Sequence, residues 1–125
     1  MSDQPRIVLV GHCVPDSYAL KAAIAAALPG ATVDFATNDT LATDAASTAD
    51  LLLINRILEG DFENESGIDL ITKLGTLGRA KLMLISNYAD AQAKAEQAGA
   101  QPGFGKRALY SEQSRTRVRA ALGRS

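Results

Sequence analysis

Short unbroken apolar runs alternate along this chain with stretches where apolar residues recur every three or four positions. Arg6-Ile7-Val8-Leu9-Val10, Asp50 to Asn55 and Lys81-Leu82-Met83-Leu84-Ile85 are runs of the first kind. Each is too short for a membrane span and too uniform for a one-sided surface strand. They fit strands buried on both faces of a parallel sheet. Val33 and Phe35 alternate with Thr32 and Asp34, a strand of about five residues that is polar on one side. Gln101 to Gly105 reads as a short, poor fifth strand.

The intervening stretches have helical spacing. Asp16 or Ser17 caps a helix that carries Leu20, Ala23, Ile24, Ala27 and Leu28 on one face, stopped by Pro29-Gly30. Asn38 to Ala49 is a weak, Ala- and Thr-rich helix. Residues 56–67 read as a long loop, followed by helically spaced Ile68, Ile71 and Leu74. Ala89 to Ala98 is a helix whose apolar face is nearly all Ala, ended by Gly99. Ser111 caps a last helix bearing Arg115, Val118 and Leu122, with Gly123 after it. Strand and helix alternate five times. That predicts a flavodoxin-like, doubly wound five-stranded parallel sheet with helices on both faces and right-handed crossovers.

Composition narrows the class. The 125 residues are 46% hydrophobic and 22% charged, enough for one core, and are read as one domain over residues 1–125. Aromatics make up only 5%, so the core is aliphatic and some helices must pack through small side chains. A net charge of −1 names no partner. The single cysteine excludes an internal disulfide and suits a reducing cytosol. Met1 to Arg6 is polar, and nothing approaches a membrane span, so the expectation is a cytoplasmic protein with no membrane partner.

In open α/β sheets, ligands bind just beyond the carboxyl ends of the strands. Asn55, Ser86 and Lys106 stand at or near such ends. The stretch from Ile85-Ser86-Asn87-Tyr88-Ala89-Asp90 through Gln97-Ala98-Gly99-Ala100 to Lys106, with the segment Asp50–Leu58, resembles a response-regulator receiver domain of two-component signalling. The resemblance covers nearly the whole chain. It implies that Ser86 is the hydroxyl residue closing the fourth strand and Lys106 the lysine closing the fifth. It also marks departures. Asn55 stands where the family has its phosphate-accepting aspartate. Gly11, His12 and Cys13 stand where it has the acidic pair that holds magnesium. The aromatic switch position falls near Gly103, with Phe104 beside it.

The chemistry of these positions points one way. An acyl phosphate needs a carboxylate nucleophile, and an amide carries neither the charge nor a free lone pair on nitrogen. Magnesium is usually held by one or two carboxylates. The expected pocket is Gly11, His12, Cys13, Asp16, Ser86 and Lys106 around a degenerate acceptor position at Asn55, with no metal ligand and at most weak magnesium binding. Lys106, Ser86 and Asn55 are expected to form a neutral hydrogen-bond network. Asp16 reads better as a helix cap than as a substitute acid.

Other motifs fall short. His12 and Cys13 are adjacent and would point to opposite faces, a poor nucleophile–base dyad. One His and one Cys make a poor zinc site. Ala100 to Arg107 nearly matches a phosphate-binding loop but has Arg107 where Ser or Thr is needed, and no Gly-x-x-Gly follows Gly11. Glu59, Asp61, Glu63, Glu65 and Asp69 crowd the long loop without a base. That loop could dock a partner or hold a cation weakly, but a solvated, flexible loop is the favoured reading. Lys106, Arg107, Arg115, Arg117, Arg119 and Arg124 crowd the other end against Glu112. Basic residues late in a helix complement its dipole, and no aromatics interleave with them, so nucleic acid is not the expected partner.

The sequence therefore reads as a non-enzymatic, receiver-like domain signalling without phosphorylation through protein–protein contact. The partner is another signalling protein, or a second copy met through the fourth helix, fifth strand and fifth helix. Two readings stay open beside it: a phosphate acceptor using Asp16, Glu59 or Asp61, and a small flavodoxin-like enzyme using Cys13.

Overall fold

The computed structural model describes residues 4–123. The chain runs β1 (Arg6–Val10), α1 (Val14–Ala27), β2 (Thr32–Ala36), α2 (Asp39–Thr48), β3 (Leu51–Asn55), α3 (Gly67–Leu74), β4 (Lys81–Ile85), α4 (Ala89–Gln97), β5 (Gln101–Phe104) and α5 (Glu112–Ala121). The strands form one parallel sheet in the order β2-β1-β3-β4-β5. The order reverses between β1 and β3, and the crevice at such a switch point is where this topology binds ligands.

Side-chain alternation divides the core. Val8, Val10, Leu52, Ile54, Leu82 and Leu84 face α2, α3 and α4. Ile7, Leu9, Leu51, Leu53, Met83 and Ile85 face α1 and α5. All five β3 residues are buried, as expected of a central strand covered on both faces. Alanines let the helices sit close. Ala42, Ala45 and Ala46 form the buried face of α2, and Ala91 and Ala95 that of α4.

Several local readings change. The first helix begins at Val14, with Cys13 at its N-cap and Pro15 in its first turn. Pro suits that turn because its missing N–H would have no helical partner there. Asp16 is therefore not a cap, and its carboxylate is used elsewhere. β5 ends at Phe104, and Lys106–Ala108 forms a short 3-10 turn that the sequence pattern did not show. The near phosphate-loop is thus spent on a strand and this turn.

The loop after β3 is also more ordered than expected. Ile57 pairs with Ser66 across it, and the Leu58 N–H donates to the Glu65 carbonyl at 2.7 Å. Asp61 N–H reaches Thr37 O at 2.8 Å, and Glu59 N–H reaches Gly11 O at 2.9 Å. Leu58 is buried, and Phe62 packs on the core. Ser66 then caps α3 by accepting from the Asp69 N–H. Arg124, counted with the basic end, and Met1 lie outside the described residues.

Candidate functional site

The carboxyl ends of β3 and β4 and the turn after β5 enclose a cleft of about 320 Å³. Asn55, Ser86 and Lys106 share it, as the sequence suggested, with Arg56, Glu59 and Tyr88 as further lining. Gly11, His12, Cys13 and Asp16 do not line it.

Asn55 is buried, and both of its amide hydrogens are spent. Its Nδ2 donates to Gly11 O at 3.0 Å and to Ile57 O at 2.8 Å. Two carbonyl oxygens converging on one point require a donor there. An ionised carboxylate would face both with no hydrogen to offer. The surroundings of this position are thus built for an amide, and only the amide oxygen is left for the cleft.

The space where the resemblance sets the family's acidic pair is filled. Gly11 has φ +73°, and a Cβ placed on it would lie 2.6 Å from Leu58 Cδ2 and 3.0 Å from Leu58 Cα. A side chain at residue 11 is excluded both by its left-handed backbone and by Leu58. His12 is buried, with Nε2 2.9 Å from the carbonyl oxygen of Leu53. That oxygen only accepts, so Nε2 carries the proton and Nδ1 is bare; Nδ1 is buried with no partner. Burial pushes the imidazole pKa down from 6.5 to about 4. The bond to Leu53 opposes that shift, the Lys106 charge adds to it, and Asp16 pulls weakly the other way. His12 is neutral at neutral pH.

Lys106 is neither simply solvated nor part of a neutral network. Its Nζ lies 2.6 Å from Asp16 Oδ2, with each side chain about one third exposed (34% for both). The hydrogen bond from Lys106 holds the Asp16 carboxyl below the usual carboxylate range, aided by a hydrogen bond from the Cys13 thiol. Ser86 Oγ accepts from the Tyr88 N–H at 3.2 Å. The expected Asn55–Ser86–Lys106 network is therefore replaced by three separate arrangements. The reason is that a lysine amine at neutral pH gains more from a charged partner than from an amide or hydroxyl. Cys13, in turn, faces an acid rather than a base, and the His12 ring is committed to Leu53.

These donors do not fit a magnesium ion. Residue 11 has no side chain, His12 is buried on its own carbonyl contact, and Asp16 is tied to Lys106. Among the described residues, Glu59 is the one carboxylate lining the cleft. Among the described residues, no group of three or more His, Cys, Asp or Glu side chains could hold a metal.

Arg56, which lines the cleft, and Leu58, beside Gly11, were not singled out from sequence. The Arg56 guanidinium stands 5.0 Å over the Tyr88 ring, a cation–π contact joining the loops after β3 and β4. Leu58, which fills the space beside Gly11, had one visible signal: it is a large aliphatic residue inside an otherwise acidic loop.

The groove between α4 and α5, across β5, holds about 280 Å³. Gly103 forms part of it, and a Cβ there would meet Leu84 O at 2.1 Å. The switch position therefore cannot carry an aromatic, and the neighbouring Phe104 is buried in the core instead. An Arg117 guanidinium nitrogen donates to Gly103 O, and Arg115 Nη1 to Tyr110 O at 3.1 Å, so these bases also brace local backbone.

No protein-family model matches the sequence, and no curated protein matches it. Solved structures do. A response regulator from Thermotoga maritima is 21% identical, with 96% of this chain and 98% of that one covered and a TM-score of 0.74. The receiver domain of a DNA-binding response regulator from Colwellia psychrerythraea 34H is 15% identical over 97% of this chain and all (100%) of that one, at 0.71. A response regulator from Burkholderia pseudomallei, with a phosphorylated aspartic acid, calcium ion and citrate, is 20% identical over 94% of this chain and 71% of that one, at 0.61. Among the described residues, no helix is long and apolar enough to cross a membrane. With its strand order and these structural neighbours, the chain has the flavodoxin-like fold of CheY-like receiver domains.

Proposed function

We propose that this chain is a receiver-like signalling domain that works without phosphorylation, by protein–protein contact in a two-component or phosphorelay setting. One observation carries the reading. Asn55, at the end of β3, donates both amide hydrogens to Gly11 O and Ile57 O. A carboxylate is the acceptor in aspartyl phosphorylation, and these two carbonyls oppose one there. The occupied space at Gly11 and the Lys106–Asp16 ion pair support the same reading, because they use up the metal seat and the cation. The surface offered to a partner is the shallow α4 face, β5 and the basic α5.

The test is incubation with a small acyl-phosphate donor and magnesium, followed by intact mass. The expected result is no added mass; one phosphoryl group would add about 80 Da and a charge near −2. A second reading has one observation in its favour: Glu59 lines the same cleft as Ser86 and Lys106. If the mass rises and Glu59→Gln abolishes the rise, that second reading replaces the first.

A further inference from the structure

We infer that the chain associates head to tail with a second copy, the α4–α5 groove of one taking the acidic β3–α3 loop of the next. This rests on the contact-based reading above and adds to it the occupant and the geometry.

The groove is cationic. Gln92, Arg107, Gln113 and Arg117 line it, and among the described residues no carboxylate does. Arg107 is exposed, and Arg117 is held in the groove wall by its bond to Gly103 O. The Gln92 amide is buried against the floor, its Nε2 donating to Leu84 O at 2.9 Å and Ser86 O at 3.1 Å, so the arginines and Gln113 are the groove's outward-facing donors.

The loop is the complementary shape and charge. Glu59, Asp61, Glu63, Glu65 and Asp69 are all exposed, and no base occurs from Ile57 to Thr72. The ion pairs among the described residues are Arg6–Asp34, Arg79–Asp50 and Lys106–Asp16, so none joins this loop to the arginines of the groove. The loop is also pre-shaped by the Ile57–Ser66 pairing and by the bond from Asp61 N–H to Thr37 O. A loop that is already ordered pays little conformational entropy on docking. It is anchored to the β1 and β2 ends, whereas the groove lies over the opposite edge strand β5. Each copy therefore presents both halves at once.

Symmetric pairing through the groove would set Arg107 and Arg117 against their own copies, and like charges facing each other cost binding energy. The head-to-tail contact pairs opposite charges instead. It does not close on itself by necessity, so it grows with concentration.

Sedimentation of the full chain tests this, with two charge-reversed variants. One is Glu63→Lys with Glu65→Lys; the other is Arg107→Glu with Gln113→Glu. All four side chains are exposed. At low salt the unaltered chain is expected to gain average mass with concentration. At about 0.5 M salt, where screening acts within a few ångström, it should return to the one-chain mass. Each variant alone should stay at the one-chain mass, and an equimolar mixture of the two should associate again. A chain that stays monomeric at low salt, a mixture that does not associate, or a salt-resistant dimer kept by both variants would each overturn the inference. Phosphoryl uptake is read separately by mass. It would remove the contact-only function without touching this result, while a monomer would remove the self-contact and leave an unlike partner for the groove.

Discussion

At the scale of single residues, Asn55 and its surroundings are matched to each other more than to phosphotransfer. Restoring the acid by Asn55→Asp replaces two hydrogen bonds with two oxygen–oxygen contacts. The variant is expected to lose about 2–3 kcal/mol at neutral pH, the usual cost of a buried polar group or charge left without its partner. The new carboxylate would bind a proton more tightly in the fold than in the unfolded chain. The deficit should therefore shrink in mild acid, where a protonated acid can donate one bond again. Urea melts at two pH values measure this; an Asn55→Asp chain as stable as the parent at neutrality would refute the fit. Asn55 itself was legible in the sequence, since an amide at a buried strand end is visible in the letters. The two carbonyls that fix its orientation were not. Neither was the Lys106–Asp16 pair, which joins positions ninety apart in the chain.

At the scale of elements, apolar runs located β1, β3 and β4 because burial on both faces leaves no polar break, while the exposed β2 showed as an alternation and β5 only as a short, poor strand. Helix starts were less legible. The first helix begins on Val14-Pro15 with no capping side-chain bond, so the acid at residue 16 misled by looking like a cap. β5 is the weakest strand, and its ladder with β4 shifts register between Met83 and Ile85. Gln92, from α4, repairs that gap. Its Nε2 donates to Leu84 O at 2.9 Å and Ser86 O at 3.1 Å, with Phe104 O at 3.5 Å. Gln92→Ala should lower stability by about 1–3 kcal/mol by stripping these carbonyls of a donor. Amide exchange should quicken most along β5, and unchanged exchange there would mean that the edge strand is held by other contacts.

At the scale of the molecule, strand order and length pointed to the receiver fold, while the charge pattern pointed to separate acidic and basic ends. The first rests on the resemblance carried by Asn55, Ser86 and Lys106 at the strand ends, the second on the charges along the chain. What the sequence could not show is how the centre is kept free of charge. His12 stands in the core as a neutral ring, between the Leu53 carbonyl and the nearby Lys106–Asp16 pair. This makes global stability depend on pH with a definite sign. The imidazole pKa falls from 6.5 in the unfolded chain to about 4 in the fold. Its contribution is complete above 6.5 and is lost as pH drops from there towards 4, because only the unfolded chain then takes the proton. By about pH 5 the loss amounts to about 2 kcal/mol. The depressed Asp16 carboxyl adds a loss of the same sign at lower pH, reduced by its exposure to solvent. His12→Gln keeps a donor for the Leu53 carbonyl but cannot titrate. The stability of that variant should be nearly flat between pH 7 and about 5, whereas the parent declines. Parallel pH profiles for the two proteins would mean that the acid sensitivity arises elsewhere.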